Sequence, residues 1–240
     1  MVCQLNISHK FKSKNFDNRK NRISFIIIHY TETKTFTKAV KLLTDKERKV
    51  SCHYLIDSKG EIYNLVDLNK RAWHAGESKW KNFTDINSHS IGIEIVNSGE
   101  LKKEEYKKEQ INVLIELIKS LKQKYKIPNE KILGHSDIAP LRKIDPGKFF
   151  PWEKLNDYSI GLWANVTTNR SRLTKTEYKN FLVNLKKIGY QYLSSAKENK
   201  LVIDAFHRHH LKTLVGKSPN KSSLEKSKKL LRIKNIDLKG

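Results

Sequence analysis

The chain has 240 residues, enough for one sizeable core or for a main domain with a small module. A hydrophobic content of 38%, with four Trp, nine Tyr and nine Phe, excludes a disordered polypeptide, and two cysteines, Cys3 and Cys52, exclude a disulfide framework or a zinc ribbon. Forty-eight Lys and Arg against 25 acids give a formal net charge of +23, which favours anionic partners without choosing among nucleic acid, acidic lipid and anionic polymer.

In chain order, Ile23-Ser24-Phe25-Ile26-Ile27-Ile28 is a nearly unbroken apolar, β-branched run that ends at His29. It predicts a buried strand with both faces covered. Residues 34–43 read as a helix, with Phe36, Val40 and Leu43 near one face. Residues 53–57 and 61–66 read as a hairpin around Ser58-Lys59-Gly60. Residues 91–96 predict another strand, ended by Asn97-Ser98-Gly99. The clearest helix is expected over 102–125, where Ile111, Leu114, Ile115, Ile118, Leu121 and Tyr125 recur at steps of three and four. Residues 131–133 predict a last strand, and 134–151 a loop containing Gly and Pro. This order implies an α/β fold with a central mixed β-sheet flanked by helices. After a plausible linker at 165–169, helical patterns near 176–188, 197–211 and 222–233 are broken by Gly189, Gly216 and Pro219, which gives a small C-terminal three-helix module. The expected division is 1–160 and 161–240.

Three side chains stand where chemistry is often placed. His29 lies where its strand leaves the sheet, and His135 follows another strand through Gly134. Asp145 is ten residues further on, in a loop stiffened by Pro140 and Pro146. Two imidazoles and a carboxylate suit zinc and leave a fourth position for water, whose pKa zinc lowers from 15.7 to about 7. The spacing is no generic zinc signature, and on residue type alone a strand-end His is more often an ordinary polar residue. Glu94 alternates with Ile93 and Ile95 and so faces the other side of its strand. A lone carboxylate there costs energy unless it is partnered or needed; a solvated face or a buried ion pair is the competing reading. Lys143 leaves the same side of the chain as Asp145 if the segment is extended; otherwise it is one more surface lysine.

Ordered blocks sharpen these readings. Ile26-Ile27-Ile28-His29-Tyr30-Thr31, then Val50-Ser51-Cys52-His53-Tyr54-Leu55-Ile56-Asp57 with Gly60, then Arg71-Ala72-Trp73-His74-Ala75-Gly76 and Ser90-Ile91-Gly92-Ile93-Glu94 succeed one another. Gly134-His135-Ser136-Asp137-Ile138-Ala139-Pro140, Arg142-Lys143-Ile144-Asp145-Pro146-Gly147 and Phe150-Pro151-Trp152 complete the set. Over roughly residues 23–155 this resembles the type 2 N-acetylmuramoyl-L-alanine amidases, whose fold is shared by phage lysozyme-amidases and animal peptidoglycan recognition proteins. The resemblance implies a Zn2+ cofactor held by His29, His135 and Asp145. It makes Glu94 the general base or the residue that positions water, and Lys143 the cation that stabilises the oxyanion. It places His53, Trp73 and His74 near the substrate groove: His53 as a second layer or a packed polar residue, Trp73 as a stacking face or a core aromatic, His74 as a substrate contact. Cys52 reads as a small buried hydrophobe rather than a thiol nucleophile. One departure stands out: relatives carry a basic residue near Phe83-Thr84-Asp85-Ile86-Asn87, where this chain has an acid.

The C-terminal segment resembles the helical peptidoglycan-binding module that follows such domains, through Phe181, Leu185, Ile188-Gly189-Tyr190 and Ile203-Asp204-Ala205-Phe206-His207-Arg208-His209-His210. The competing reading is a helical bundle that buttresses the enzyme. His207 and His210 share a helix face, and, read as having no acidic or cysteine partner for a metal site, they are expected on a solvated, weakly basic face. The expected partner is peptidoglycan or its muropeptide fragments. A recognition protein that keeps the groove without cutting is the alternative function, and specific nucleic-acid binding is not expected despite the charge. No stretch reaches the roughly 20 apolar residues of a membrane span. Met1 to Lys20 shows no apolar signal core, while Cys3 fits either a lipid-bearing cysteine or a terminal residue with no role. The wall-binding module favours the cell envelope, a cytoplasmic recycling role being the alternative, and the oligomeric state stays open.

Overall fold

A computed structural model describes residues 5–237; Cys3 lies outside them. The elements are β1 (Ile7–Ser8), β2 (Phe16–Asn18), β3 (Phe25–Tyr30), α1 (Phe36–Thr44), β4 (Tyr54–Ile56), β5 (Ile62–Asn64), β6 (Lys70–Ala72), α2 (Ile86–His89), β7 (Ser90–Ile95), α3 (Lys108–Tyr125), β8 (Ile132–Gly134), α4 (His135–Ile138), α5 (Trp152–Asn156), α6 (Lys175–Ile188), α7 (Ala196–His210) and α8 (Lys221–Asp237). Six strands form one mixed sheet in the order β1-β5-β4-β7-β3-β8, and β2 pairs with β6 in a separate two-stranded ribbon. β4, β7, β3 and β8 run parallel, while β4 and β5 make the antiparallel hairpin. β1, β2 and β6 have only two or three residues, too few to show a period in the sequence.

Every residue of β3 and β7 is buried, because both faces of the sheet are covered. On one face Ile26, Ile28, Ile93 and Ile95 meet Ile111, Leu114, Ile115, Ile118 and Leu121 of α3. On the other, Phe25, Ile27 and Leu133 belong to a cluster that includes Phe181, Leu185, Tyr190, Val202 and Phe206 from the C-terminal helical region. Each such fully buried side chain contributes about 1.5–3 kcal/mol. The helices thus flank the sheet as expected, and the C-terminal ones share an apolar cluster with it.

Two expectations need correction. The helix expected from residue 102 begins at Lys108: Lys103 adopts a left-handed conformation (φ 55°), and Gln110 Oε1 accepts from Lys107 N at 3.1 Å to start the helix there. His207 and His210 are not solvated; they are 0% and 5% exposed, because α7 packs this face inward. His207 Nε2 lies 3.0 Å from Ser223 Oγ on α8. The adjacent His209 does have an acidic partner, Asp137, 72 residues away in sequence. Such a partner is invisible to any reading of local spacing. Nearby, Lys226 Nζ lies 3.4 Å over the Trp163 ring, a contact that repays part of the burial of its ammonium.

Candidate active site

The parallel strands β3, β7 and β8 end at the same edge of the sheet, where α/β folds place their ligands. Register pairs His29 with Glu94, so both side chains leave the sheet on one face. At the end of β8 the chain turns directly into α4, whose first residue is His135. The loop bearing Asp145 is tied to that turn by Ser136 N donating to Asp145 O at 2.8 Å.

His29, His135 and Asp145 therefore converge. His29 Nδ1 lies 3.0 Å from His135 Nδ1 and 2.9 Å from Asp145 Oδ2, and His135 Nδ1 lies 3.1 Å from the same oxygen. All three are buried, at 1%, 3% and 6% exposure. These spacings would let His29, His135 and Asp145 share one ion. The group could hold a metal ion. Two nitrogens and one carboxylate oxygen are a donor set that zinc accepts.

The surrounding hydrogen bonds fix the imidazoles for this task. Ser90 Oγ donates to Ile86 O at 2.6 Å, so it accepts from His74 Nε2 at 3.0 Å. His74 Nδ1 is then an acceptor and takes the Nε2 proton of His29 at 3.0 Å, which frees His29 Nδ1 as a lone-pair donor. His135 is set in the same way: its Nε2 donates to Ala75 O at 3.1 Å. Burial, reinforced by His135, lowers the pKa of His29 to about 4, so the ring is neutral at physiological pH, as a ligand must be. Burial alone would raise the pKa of Asp145, but His135 and His29 outweigh it and hold the carboxyl well below the usual carboxylate range.

Glu94 has the opposite character. Burial foremost, and then the negative Asp145, raise its pKa to about 8, with Lys143 opposing them. Its Oε2 is buried and has no hydrogen-bond partner among the described residues. A carboxyl poised near neutral pH, with a free oxygen in a cleft, is suited to proton transfer. Tyr30, Arg48, His74, Arg142 and Lys143 line the same cleft as Glu94, His135 and Asp145. Arg142 donates to the carbonyl oxygens of Ala75 and Glu77, so its guanidinium secures the wall.

The sequence profile described as N-acetylmuramoyl-L-alanine amidase matches residues 19–148. The N-acetylmuramoyl-L-alanine amidase AmiD of Escherichia coli is 36% identical over 214 residues, 80% of this chain and 76% of that protein. This chain belongs to the N-acetylmuramoyl-L-alanine amidase family. Within the family, the 1,6-anhydro-N-acetylmuramyl-L-alanine amidase AmpD of Haemophilus influenzae is 34% identical over 60% of this chain and 88% of its own length. Among solved structures, E. coli AmiD bound to its substrate anhydro-N-acetylmuramic acid-L-Ala-D-γ-Glu-L-Lys superposes with a TM-score of 0.80 at 31% identity, covering 90% of this chain and 92% of that one. AmpDh3 of Pseudomonas aeruginosa gives 0.77 at 28% identity, over 89% and 92%.

The structure of this amidase-family chain distributes the remaining candidates unevenly. His74 lines the cleft and touches His29, whereas His53 lies behind it, 0% exposed, with Nδ1 accepting from Gly92 N at 3.0 Å. His53 therefore packs against the strand that bears Glu94, its ring closed off from the surface. Trp73 is half-buried on the small ribbon, its Nε1 donating to Asp17 Oδ2 at 2.7 Å, away from the cleft-lining residues. Asp85, the acid at the atypical position, is engaged by Arg71 at 2.8 Å and by Ser88. Cys52 is fully buried, and burial pushes its thiol well above the ordinary value, which excludes a thiolate nucleophile. Ser90 and Arg142 carry supporting roles the sequence did not single out; Arg142, adjoining Lys143 in the Arg-Lys-Ile-Asp block, was the findable one.

Gly92 is required by the His74 ring. A Cβ at this position would meet His74 Cγ at 2.4 Å. Gly92→Ala is expected to displace His74 from His29 and weaken metal binding by about 10–100-fold, the usual effect of losing a ligand's hydrogen-bond partner. Competition against a chromophoric chelator measures this; an unchanged affinity would show that His74 does not orient His29.

Proposed function

We propose that the protein is a zinc-dependent N-acetylmuramoyl-L-alanine amidase, hydrolysing the amide between the lactyl group of N-acetylmuramic acid and L-alanine in peptidoglycan or its fragments. The observation that carries this reading is the convergence of His29, His135 and Asp145 beside a buried, unpartnered carboxyl oxygen of Glu94. Zinc bound there would supply Lewis acidity toward the scissile carbonyl and acidify water at neutral pH. His29, His135 and Asp145 hold it, and His74 and the Ala75 carbonyl keep the two imidazoles in the ligating tautomer. Glu94 takes the proton of the attacking water at Oε2 and returns it to the leaving amine nitrogen. Lys143, on the cleft wall, brings positive charge to the oxygen that becomes anionic. His74 contacts the substrate at the floor of the cleft.

The C-terminal helices serve as a wall-binding module and the protein works in the cell envelope. The uneven charge supports this: residues 160–240 hold 18 basic and 5 acidic residues, a local net charge of +13. No helix among the described residues is long and apolar enough to cross a membrane.

Mass spectrometry of products from whole sacculi and from soluble anhydro-muropeptides tests the reading. The expected products are free stem peptide and peptide-free muramic acid, with release abolished by a chelator and restored by zinc. Intact amide bonds in both substrates after incubation with zinc-loaded protein would overturn it and favour a recognition role.

A further inference from the structure

Outside the cleft, a compact cluster of buried polar side chains surrounds Asp137, which is 1% exposed. Its Oδ2 accepts from Gly134 N at 2.8 Å and from His209 Nδ1 at 2.7 Å, and its Oδ1 accepts from Tyr190 OH at 2.6 Å. Asp137 belongs to α4, the single turn that begins with His135, and Gly134 is the residue just before it. Both side-chain donors come from the C-terminal region: Tyr190 follows α6, and His209 lies in α7.

These donors are themselves held. The His209 ring stacks on Trp152, with centroids 3.8 Å apart and planes 14° from parallel. Trp80 packs edge-on against Tyr190 with centroids 4.9 Å apart. It lies so close to Gly189 that a Cβ there would meet its ring at 2.3 Å. The residue before His209 reaches the other metal-bearing segment. Arg208 Nε donates to Glu100 Oε2 at 3.1 Å, and the same oxygen accepts from Lys148 N at 2.8 Å, three residues beyond Asp145. Successive residues of α7 thus brace the turn that carries His135 and the loop that carries Asp145. A buried carboxylate with several donors holds them firmly, and losing one donor leaves its charge undercompensated.

We infer that Tyr190 and His209 are positioning residues of the metal centre: through Asp137 they hold the α4 turn so that His135 meets the geometry the ion requires. The C-terminal helices are then part of the metal site's support, whatever they bind on their outer surface. This rests on the reading that His29, His135 and Asp145 bind zinc.

The test uses the full chain and reads zinc affinity by chelator competition, together with kcat, KM and thermal unfolding. Tyr190→Phe and His209→Leu are each expected to weaken zinc by about 10–100-fold and to lower kcat with KM held, at a temperature where circular dichroism shows them folded. His209→Asn, which keeps an N–H near the position of Nδ1, should return affinity toward the parent value. Phe181→Leu, in the same apolar cluster but outside this hydrogen-bond network, should lower the melting temperature and leave zinc affinity unchanged. If His209→Leu does not fold, Tyr190→Phe, which deletes one oxygen, decides alone. Parent-like zinc affinity in Tyr190→Phe would overturn the inference. So would an equal weakening in Phe181→Leu, since that assigns the effect to general stability. A parent protein that binds zinc yet leaves both peptidoglycan substrates intact would end the amidase reading while leaving this one standing.

Discussion

Glu94→Gln is expected to lower kcat by about 100- to 10,000-fold, the range over which general acid–base catalysis contributes, while zinc content and KM stay at the parent values. The carboxamide preserves volume and leaves the metal donors untouched, but it cannot accept the proton of the attacking water. A buried carboxyl with one oxygen that has no hydrogen-bond partner among the described residues is costly to maintain. Metal analysis and steady-state kinetics on the same preparation measure both halves of the expectation. Parent-like turnover by zinc-loaded Glu94→Gln would remove Glu94 from the proton path.

Acid should destabilise the protein at a pH well above the range in which an ordinary exposed carboxylate is protonated. His53 and His207 are held at about 3 and about 4, and His210 well below the ordinary value, in each case chiefly by burial. The charges facing them agree for the most part: Arg19 lies against His53, and His209 and Lys226 lie near His210, while Asp204 only partly offsets the burial of His207. A depressed folded-state pKa means that the unfolded chain takes up the proton first as pH falls. Below the unfolded value near 6.5, stability therefore drops by up to about 1.4 kcal/mol per pH unit for each imidazole, until the folded-state pKa is reached. His53 and His207 alone imply a loss of a few kcal/mol between roughly pH 6.5 and 4.5, a large share of a typical stability of 5–15 kcal/mol, and His210 adds in the same direction. Urea midpoints measured from pH 7.5 to 4.5 should fall steeply below 6.5 and stay flat against these groups above it. A midpoint that holds constant down to pH 5 would show that these imidazoles are not buried in the neutral form.

Much of this molecule was legible in one dimension. The run ending at His29, the strand bearing Glu94 and the helix through Ile111–Leu121 declare themselves by hydrophobic period, because a buried face must repeat with the geometry of its element. Residue type, strand-end position and ordered motif blocks point to His29, His135, Asp145 and Glu94, and the tertiary structure sets Glu94, His135 and Asp145 in one cleft with His29 buried against the last two. Contacts between segments distant in the chain are what local sequence pattern does not show. His207 and His209 read as part of a solvated basic face because their partners, Ser223 for the first and Asp137 and the Trp152 ring for the second, lie 16 to 72 residues away in sequence. Trp73 and His74 are neighbours in the chain, yet alternation along the backbone sends one to the outer ribbon and the other onto the sheet beside His29.

The amino-acid order alone determined the α/β class and the sheet's principal strands, since these depend on local periodicity, and its ordered blocks singled out the three side chains that the fold brings together as a group able to hold a metal ion. Only the tertiary structure decided which imidazole nitrogen is free, how far the pKa of Glu94 rises, and that α7 reaches across to brace the donor-bearing segments. Tautomer, desolvation and bracing are properties of what surrounds a group in space, and the surroundings here come from strands, loops and helices that the chain keeps far apart until it folds.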